Sequence, residues 1–186
     1  MQPAEPAATQ FDMQPQLRGP TLSLRPLQAS DQEALWEVAG DPMVWELHPD
    51  KTRSERAGYL RFFRSSLESG GALAVLDAAS GKILGSSRFY DWDPARREVA
   101  IGFTFLSRQA WGGGTNREMK GLMLAHAIRW ADHVWFHVAA MNLRSRRAME
   151  KLGAQAVFEG PRPLNGELID FVYYRIDASQ VRSGPT

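Results

Sequence analysis

Three consecutive glycines, Gly112 to Gly114, join two segments whose hydrophobic patterns differ. The preceding segment, REVAIGFTF, is typical of a β-strand, and the following segment, NREMKGLMLAHAIRWA, is typical of an α-helix. The N-terminus of a helix carries unpaired backbone N–H groups and the positive end of the helix dipole. Glycines before it let the backbone approach an anion closely. The loop is therefore either a simple turn or an anion site, and its own residues do not decide between these alternatives.

Composition limits the number of domains and the class of partner. The chain has 186 residues, of which 44% are hydrophobic, which suits one domain with a sizeable core. Its formal net charge of +1 gives no basic field for nucleic acid. No apolar run approaches the roughly 20 residues of a membrane span. We therefore expect neither a nucleic-acid partner nor a membrane partner.

The absence of cysteine fits a reducing compartment, and we predict a cytoplasmic location. The N-terminal stretch is rich in proline and lacks the basic and then apolar order of a signal peptide. We predict tails over residues 1–19 and 179–186 around a domain of residues 20–178.

The strand and helix patterns follow one another as strand, two helices, three strands, helix, strand, helix and two strands. We predict helices from Ser30 or Asp31 to Gly40, from Ser54 to Gly70, from Thr115 to Asp132 and from Asn142 to Gly153. A hairpin turn is predicted at Asn165-Gly166 between the last two strands. This order favours a mixed α/β fold around one central sheet.

Known phosphate-binding loops fit the glycine loop poorly. A P-loop needs Gly-Lys-Ser/Thr at its end, whereas Gly114 is followed by Thr115-Asn116 and no lysine precedes Lys120. A dinucleotide fingerprint that starts at Gly112 would need its third glycine at Arg117. These mismatches argue against a nucleoside-triphosphate site and against an NAD site.

A metal site is not expected either. His133-x-x-x-His137 has the spacing of two zinc ligands on a helix. The segment HVWFH is β-branched and aromatic, however, and in a strand residues i and i+4 lie far apart. No third ligand is evident in the sequence.

The glycine loop and the later segment NLRSRRAMEKLGA together resemble the GNAT superfamily of acetyl-CoA-dependent N-acetyltransferases, from Thr21 to Ile176. The branch that includes the ribosomal-protein alanine acetyltransferases is the most similar. The resemblance implies a single, mostly antiparallel, twisted central sheet flanked by helices. It also implies that the glycine-loop strand and the strand VWFHVAA splay apart and hold acetyl-CoA between them.

Two registers of the superfamily signature fit the loop. Gln109, Gly112 and Gly114 match it literally. Alternatively, Trp111, Gly114 and Asn116 take the three positions. The second register is preferred because it places Glu118 where this branch commonly has an acidic residue, one turn into the helix.

In either register, the resemblance implies that the coenzyme A pyrophosphate lies over the amides of Gly112 to Asn116, with acetyl-CoA as co-substrate and without a metal. The implied cofactor contacts are Thr104, Phe105, Leu106, Trp111, Gly112, Gly113, Gly114, Thr115, Asn116, Asn142 and Ser145.

The catalytic candidates are Asn142, Ser145 and Glu98. Many members of the superfamily have a tyrosine in the last helix that protonates the leaving thiolate, and here Met149 occupies that position. Many also have a glutamate where this chain has Ala100. Glu98 lies on the same strand face as Ala100 and is either the base or a solvated charge. Asn142 and Ser145 are alternatively a helix cap and a first-turn hydroxyl.

The acceptor side is expected to include Trp45, Arg88 and Tyr90, for each of which structural packing is the alternative. The leading hypothesis is an N-acetyltransferase, a monomer or homodimer, in which a protein N-terminal amine or a small-molecule amine attacks acetyl-CoA directly in a ternary complex. The competing hypothesis is a non-catalytic acyl-CoA binder or sensor of the same fold.

Overall fold

Eight strands form one open sheet in the computed structural model, which describes residues 10–182. The spatial order is β1-β2-β3-β4-β5-β6-β8-β7. Neighbouring strands are antiparallel except for β5 and β6, which are parallel. The strands are β1 Leu17–Arg18, β2 Leu22–Pro26, β3 Ala72–Asp77, β4 Ile83–Asp93, β5 Glu98–Leu106, β6 His133–Ala139, β7 Gln155–Leu164 and β8 Glu167–Asp177.

Helices cover both faces of this sheet. The helices are α1 Gln32–Ala39, α2 Arg56–Glu68, α3 Thr115–Ala127, α4 Leu143–Leu152 and α5 Ala178–Arg182. The buried apolar residues of α1 and α2 form one cluster with residues such as Ala74 and Phe105. Those of α3 and α4 form another cluster with residues such as Val99, Ile101 and Phe136. The predicted mixed α/β fold with a mostly antiparallel central sheet is therefore confirmed.

Two helices differ from the prediction at one end. Helix α3 ends at Ala127 rather than at Asp132, because the amides of Trp130 and Ala131 both donate to the Ala127 carbonyl and close the last turn. Helix α2 begins at Arg56 rather than at Ser54, since Ser54 ends a preceding 3₁₀ turn and its hydroxyl donates to the Lys51 carbonyl.

The predicted N-terminal tail is corrected over residues 10–19. Phe11 is only 5% exposed, and its ring packs against Phe89 and Trp92. The short strand β1 pairs with β2, which ties this segment to the edge of the sheet. The sequence pattern missed these contacts because a single apolar residue among prolines has no periodicity. Residues 1–9 lie outside the described residues.

The predicted C-terminal tail is also shorter than expected. Ala178 is buried, and the short helix α5 runs to Arg182. Residues 183–186 lie outside the described residues.

The hairpin turn predicted at Asn165-Gly166 is present. Both residues have positive φ angles, 51° and 84°, as a tight hairpin between β7 and β8 requires.

Strands β5 and β6 part after three paired residues. The register pairs Glu98 with His133, Val99 with Val134 and Ala100 with Trp135, and stops there. On its other side, β5 carries a bulge, because Ser86 pairs with Phe105 but Arg88 pairs with Gly102. Phe103 in this bulge has a φ of 52°. Because a bulge bends its strand, the bulge is consistent with β5 turning away from β6.

Across the described residues, no helix is long and apolar enough to span a bilayer.

We predict that Phe11→Ala lowers the free energy of unfolding by about 3 kcal/mol, because it removes a buried ring from the main core. Chemical denaturation measures the change. Phe158→Ala is the control, since that ring is 51% exposed and its loss costs less. Equal, small effects of the two substitutions would show that residues 10–19 behave as a tail.

Candidate active site

Unpaired backbone borders the gap between β5 and β6. Within the described part of the chain, β5 from Ile101 to Leu106 and β6 from Phe136 to Ala139 have no partner across the gap. The far edge of β5 pairs with β4, and the far edge of β6 pairs with β8. The gap is thus bounded by two strand edges whose N–H and C=O groups can bond an extended ligand. This is the splayed pair that the family resemblance implies.

The glycine loop lies where β5 leads into α3. Gly112 and Gly114 have φ angles of 78° and 88°, which are unfavourable for other residues, and Gly114 is the N-cap of α3. In the chain from residue 10 to 182, no amide from Gly112 to Asn116 donates to a protein acceptor. A Cβ built on any of the three glycines would meet no atom within 4 Å. The open space and the free amides together suit an anion.

Glu118 has a structural contact rather than a free carboxylate. Its oxygens accept hydrogen bonds from the Thr21 amide at 2.9 Å, the Thr21 hydroxyl at 2.5 Å and the Leu22 amide at 3.0 Å. These bonds lower the pKa of Glu118 against the opposing effect of burial, which is the largest single influence. The carboxylate therefore fastens the first turn of α3 to β2 and fixes the direction of the glycine loop.

Trp111 and Arg144 brace the loop from the other side. The Trp111 indole N–H donates to the Leu106 carbonyl at 3.0 Å. The Arg144 guanidinium stacks on the Trp111 ring, 4.0 Å from its centroid, and donates to the Val44 carbonyl at 3.2 Å. Helix α4 is thereby connected to the loop.

Asn142 caps helix α4. Its Oδ1 accepts from the Ser145 amide at 3.1 Å, so the capping role is seen directly. The Ser145 hydroxyl makes no hydrogen bond to another described residue and is partly exposed. Met149 is 4% exposed and belongs to the main core, which leaves it a packing role.

Thr104, Phe105 and Leu106 contribute differently to the wall of the gap. Phe105 and Leu106 are buried in the clusters on opposite faces of the sheet, so only their backbone is available to a ligand. The Thr104 hydroxyl lies 2.8 Å from the Ser87 hydroxyl and 2.6 Å from the Lys120 Nζ.

Lys120 was not identified from the sequence. Its side chain projects from α3 and is only 3% exposed, and burial alone lowers its pKa to about 7. A signal was present, since Lys120, Met123, Leu124 and Ala127 have the spacing of one apolar helix face. A lysine among the apolar residues of a helix face places a charged group in the protein interior, which is unusual and could have identified Lys120.

A cleft of about 670 Å³ opens on the face of the sheet opposite to α3, where β5 and β6 part. Its lining includes Glu98, Ala100, Trp135, His137 and Tyr173. The Glu98 carboxylate is 20% exposed and lies 3.3 Å from the Arg96 guanidinium. The candidate base therefore borders the cleft, two residues before Ala100, the last residue of β5 paired with β6.

Tyr90 and His137 form a pair beside this cleft. The Tyr90 hydroxyl lies 3.0 Å from His137 Nδ1, and Arg162 donates to the same nitrogen at 2.7 Å. Burial, assisted by the positive Arg162, lowers the pKa of His137 to about 4. His137 is therefore neutral near pH 7, and it was not recognised from the sequence as a site residue.

Arg88 is a buried cation without a carboxylate partner among residues 10–182. Its Nη2 donates to the Ser66 hydroxyl at 2.6 Å, and its Nε is buried with no acceptor. The guanidinium lies 4.0 Å from the centroid of the Phe103 ring. Burial, reinforced by the nearby Arg53, lowers its pKa to about 10.

Trp45 belongs to the core rather than to an open pocket. It is 2% exposed, and its indole N–H donates to the Ala39 carbonyl at 2.7 Å. Its ring packs against Phe105 and Phe62. The substrate contact predicted for Trp45 is therefore not supported, because both its face and its polar atom are used within the protein.

The two histidines with zinc-like spacing have separate partners. His133 Nδ1 lies 2.7 Å from Asp177, while His137 contacts Tyr90 and Arg162. In the described chain, no group of three or more histidine, aspartate and glutamate side chains is arranged to hold a metal.

Comparison with known proteins gives the family. A family model described as an acetyltransferase (GNAT) domain matches residues 21–155. No curated protein matches the chain in sequence. A GCN5-related N-acetyltransferase from Brucella melitensis shares 19% identity, with 91% of this chain and 81% of that chain covered and a TM-score of 0.81.

Two further solved structures share the fold. A ribosomal-protein-serine acetyltransferase-like protein from Vibrio cholerae is 13% identical, with 87% and 97% of the two chains covered and a TM-score of 0.73. A spermidine N-acetyltransferase chimera from Vibrio cholerae is 16% identical, with 88% and 99% covered and a TM-score of 0.68. Because the family model spans most of the chain, this protein belongs to the GNAT acetyltransferase family.

Proposed function

We propose that the protein is an acetyl-CoA-dependent N-acetyltransferase that moves an acetyl group to a primary amine. The observation that carries this proposal is the gap between β5 and β6, which leads to the free amides at the start of α3. A thioester with an extended amide-containing arm and a pyrophosphate matches both features. The unpaired strand edges would bond the pantetheine amides, and the amides of Gly112 to Asn116 would bond the pyrophosphate.

The other contacts with coenzyme A follow from α4. Asn142 opens that helix just beyond β6, and the Ser145 hydroxyl lies one turn further and is free of other bonds. Both side chains would bond coenzyme A near its sulfur end. Since Asn142 uses its Oδ1 as the cap, its amide N–H groups remain available as donors.

Acetyl transfer needs a neutral amine and a polarised carbonyl. Glu98 would take the proton of the amine directly or through a water, from its place at the edge of the cleft. An α-amine has a pKa near 8 and an alkyl amine near 10, so an α-amine needs less help from a base. The backbone amides of Thr104 to Leu106 would receive the carbonyl oxygen of the thioester. Holding both reactants in one complex supplies much of the rate.

The cleft on the far side of the gap is the proposed acceptor site. Asp91, Asp93 and Glu98 line it together with one cation, Arg96, and this net negative lining favours a positively charged amine before it loses its proton. Tyr90 and Arg88, in the middle of β4, are the acceptor contacts retained from the sequence. The acceptor is a protein N-terminal amine or a small-molecule amine, and the protein acts in the cytoplasm as a monomer or homodimer.

The experiment for this proposal measures coenzyme A release from acetyl-CoA with a panel of peptides and small amines. We expect turnover with at least one class and none when the amine is acetylated beforehand. Tight acetyl-CoA binding without turnover across the whole panel would favour a non-catalytic acyl-CoA binder and contradict the proposal.

We predict that Gly113→Val weakens acetyl-CoA binding at least about tenfold, or 1.4 kcal/mol, while stability stays unchanged. The side chain would occupy the proposed pyrophosphate site, and Gly113 does not need a positive φ. Isothermal calorimetry measures the affinity. Gly114→Val is the companion variant, in which the φ of 88° adds roughly 1–2 kcal/mol of backbone strain. Unchanged affinity in folded Gly113→Val would refute the loop assignment.

We predict that Asn142→Asp keeps the helix cap, and therefore the stability, but raises the Michaelis constant for acetyl-CoA roughly tenfold. Aspartate accepts from the Ser145 amide equally well, yet it cannot donate a hydrogen bond and repels phosphate. Ser145→Ala should lower affinity for the same substrate. Steady-state kinetics and thermal denaturation measure both. Wild-type kinetics from both variants would leave capping as the whole role of Asn142.

A further inference from the structure

We propose that Lys120 is the acid of the active site, which protonates the coenzyme A sulfur as it leaves the acetyl group; this inference rests on the proposed acetyl-transfer function.

The position of the Lys120 ammonium is the first argument. Its Nζ lies 2.6 Å from the Thr104 hydroxyl on β5 and 5.7 Å from the centroid of the Phe136 ring on β6. Thr104 and Phe136 both follow the last paired residues of their strands, Ala100 and Trp135. The ammonium therefore lies over β5, on the face covered by α3, with Ser87 of β4 on one side and the ring of Phe136 across the gap on the other.

The surroundings of Lys120 are the second argument. A third contact, at 3.4 Å, is the Ser87 hydroxyl on β4. The residues that face the ammonium from the sheet are uncharged. They are Ser87 on β4, Thr104 on β5 and Phe136 on β6. On α3 itself, the nearby Glu118 is bonded to Thr21 and Leu22. A buried cation without an anion is strongly unfavourable, so an anion formed in the gap would be stabilised there.

The protonation behaviour of Lys120 agrees with this geometry. Burial lowers its pKa to about 7, so the ammonium and the amine are both accessible near neutral pH. A thiol with an ordinary pKa of about 8.5 is matched to such a donor, which favours proton transfer. Met149 has no proton to give, and a serine hydroxyl is a far weaker acid than an ammonium.

In the proposed step, the acetyl group moves from sulfur to nitrogen and one proton moves to sulfur. The amine nitrogen forms a bond to the acetyl carbon, the carbon–sulfur bond breaks, and its electron pair goes to sulfur. Lys120 gives one proton to that sulfur and becomes a neutral amine. The proton lost by the amine nitrogen passes to Glu98, directly or through a water, and from there to solvent; Lys120 takes up a proton from solvent before the next cycle. The products are the N-acetylated amine and coenzyme A thiol.

The direct test titrates the thiol of bound coenzyme A by its ultraviolet thiolate absorbance. In the wild type, we expect the midpoint to lie at least about one pH unit below that of free coenzyme A, a tenfold effect. Lys120→Met should return the midpoint to the free value or above it. Lys82→Met removes an exposed lysine and should leave the midpoint as in the wild type. Equal midpoints in the wild type and Lys120→Met would overturn the inference.

This design separates the inference from the proposed function. If the wild type binds coenzyme A but the thiol midpoint is not shifted, only the role of Lys120 fails. If the wild type does not bind coenzyme A in calorimetry, the acetyl-transfer proposal and the inference fail together. Lys120→Gln is a second, uncharged variant for the same titration and replaces Lys120→Met if the latter does not fold.

Stability reports how strongly burial destabilises the charged form of Lys120. The pKa of Lys120 falls from 10.5 in the unfolded chain to about 7 in the folded protein, so the unfolded chain binds more protons between these values. The destabilisation by Lys120 is therefore complete below about pH 7 and diminishes as the pH rises towards 10.5. Lys120→Met should raise the melting temperature more at pH 6 than at pH 10.

The same variant should lose activity. We expect Lys120→Met to lower kcat at least about tenfold, equivalent to 1.4 kcal/mol, with little change in the Michaelis constant for acetyl-CoA. Lys120→Arg keeps a charge but is a poor proton donor, so it should preserve the thiol midpoint and still lose kcat. A Lys120→Met protein that is both more stable and fully active would show that the lysine is dispensable for the reaction.

Discussion

The early end of pairing between β5 and β6 is the constraint on which the site depends. Parallel neighbours normally share hydrogen bonds along their length, and here only three residue pairs do so before the bulge at Phe103 bends β5. The backbone N–H and C=O groups of β5 and β6 that face the gap therefore need other hydrogen-bond partners. An extended ligand that enters the gap supplies them and in effect becomes a strand between the two. Binding of acetyl-CoA is therefore expected to complete the sheet as well as to fill a site.

Two buried cations lie on either side of this opening. Lys120 approaches from the α3 face, whereas Arg88 reaches Phe103 of the bulge and the Ser66 hydroxyl of α2 on the other face. Neither has a carboxylate partner within residues 10–182, so both destabilise the folded protein relative to apolar residues of similar size. Acyl transfer develops negative charge on oxygen and sulfur. Two cations without carboxylate partners at this place would stabilise that negative charge in the transition state without any rearrangement of the protein.

Sequence patterns predicted the fold and the glycine loop because both are local. Strand alternation, the Asn142 cap and the Asn165-Gly166 turn each involve a few neighbouring residues, and the structure has them, whereas Ser54 does not cap α2. Long-range packing was missed for the opposite reason. Phe11 contacts residues far along the chain, and for Trp45 the contacts with Ala39 and Phe105 favour packing, the alternative to a substrate contact. The roles proposed for Asn142, Ser145 and Glu98 stay predictions, since capping and an ion pair explain their observed contacts.

Helix α3 links the two halves of the proposed chemistry. Its first turn offers the free amides and is fastened to β2 through Glu118, and two residues later Lys120 reaches the Thr104 hydroxyl on β5, beside the gap. The distance from the anion site to the ammonium is thereby set by helix geometry, at 1.5 Å of rise per residue. A pyrophosphate held at the start of α3 fixes how far the attached arm reaches along β5. The segment proposed to bind the pyrophosphate therefore also positions the proposed acid, because both belong to the same helix.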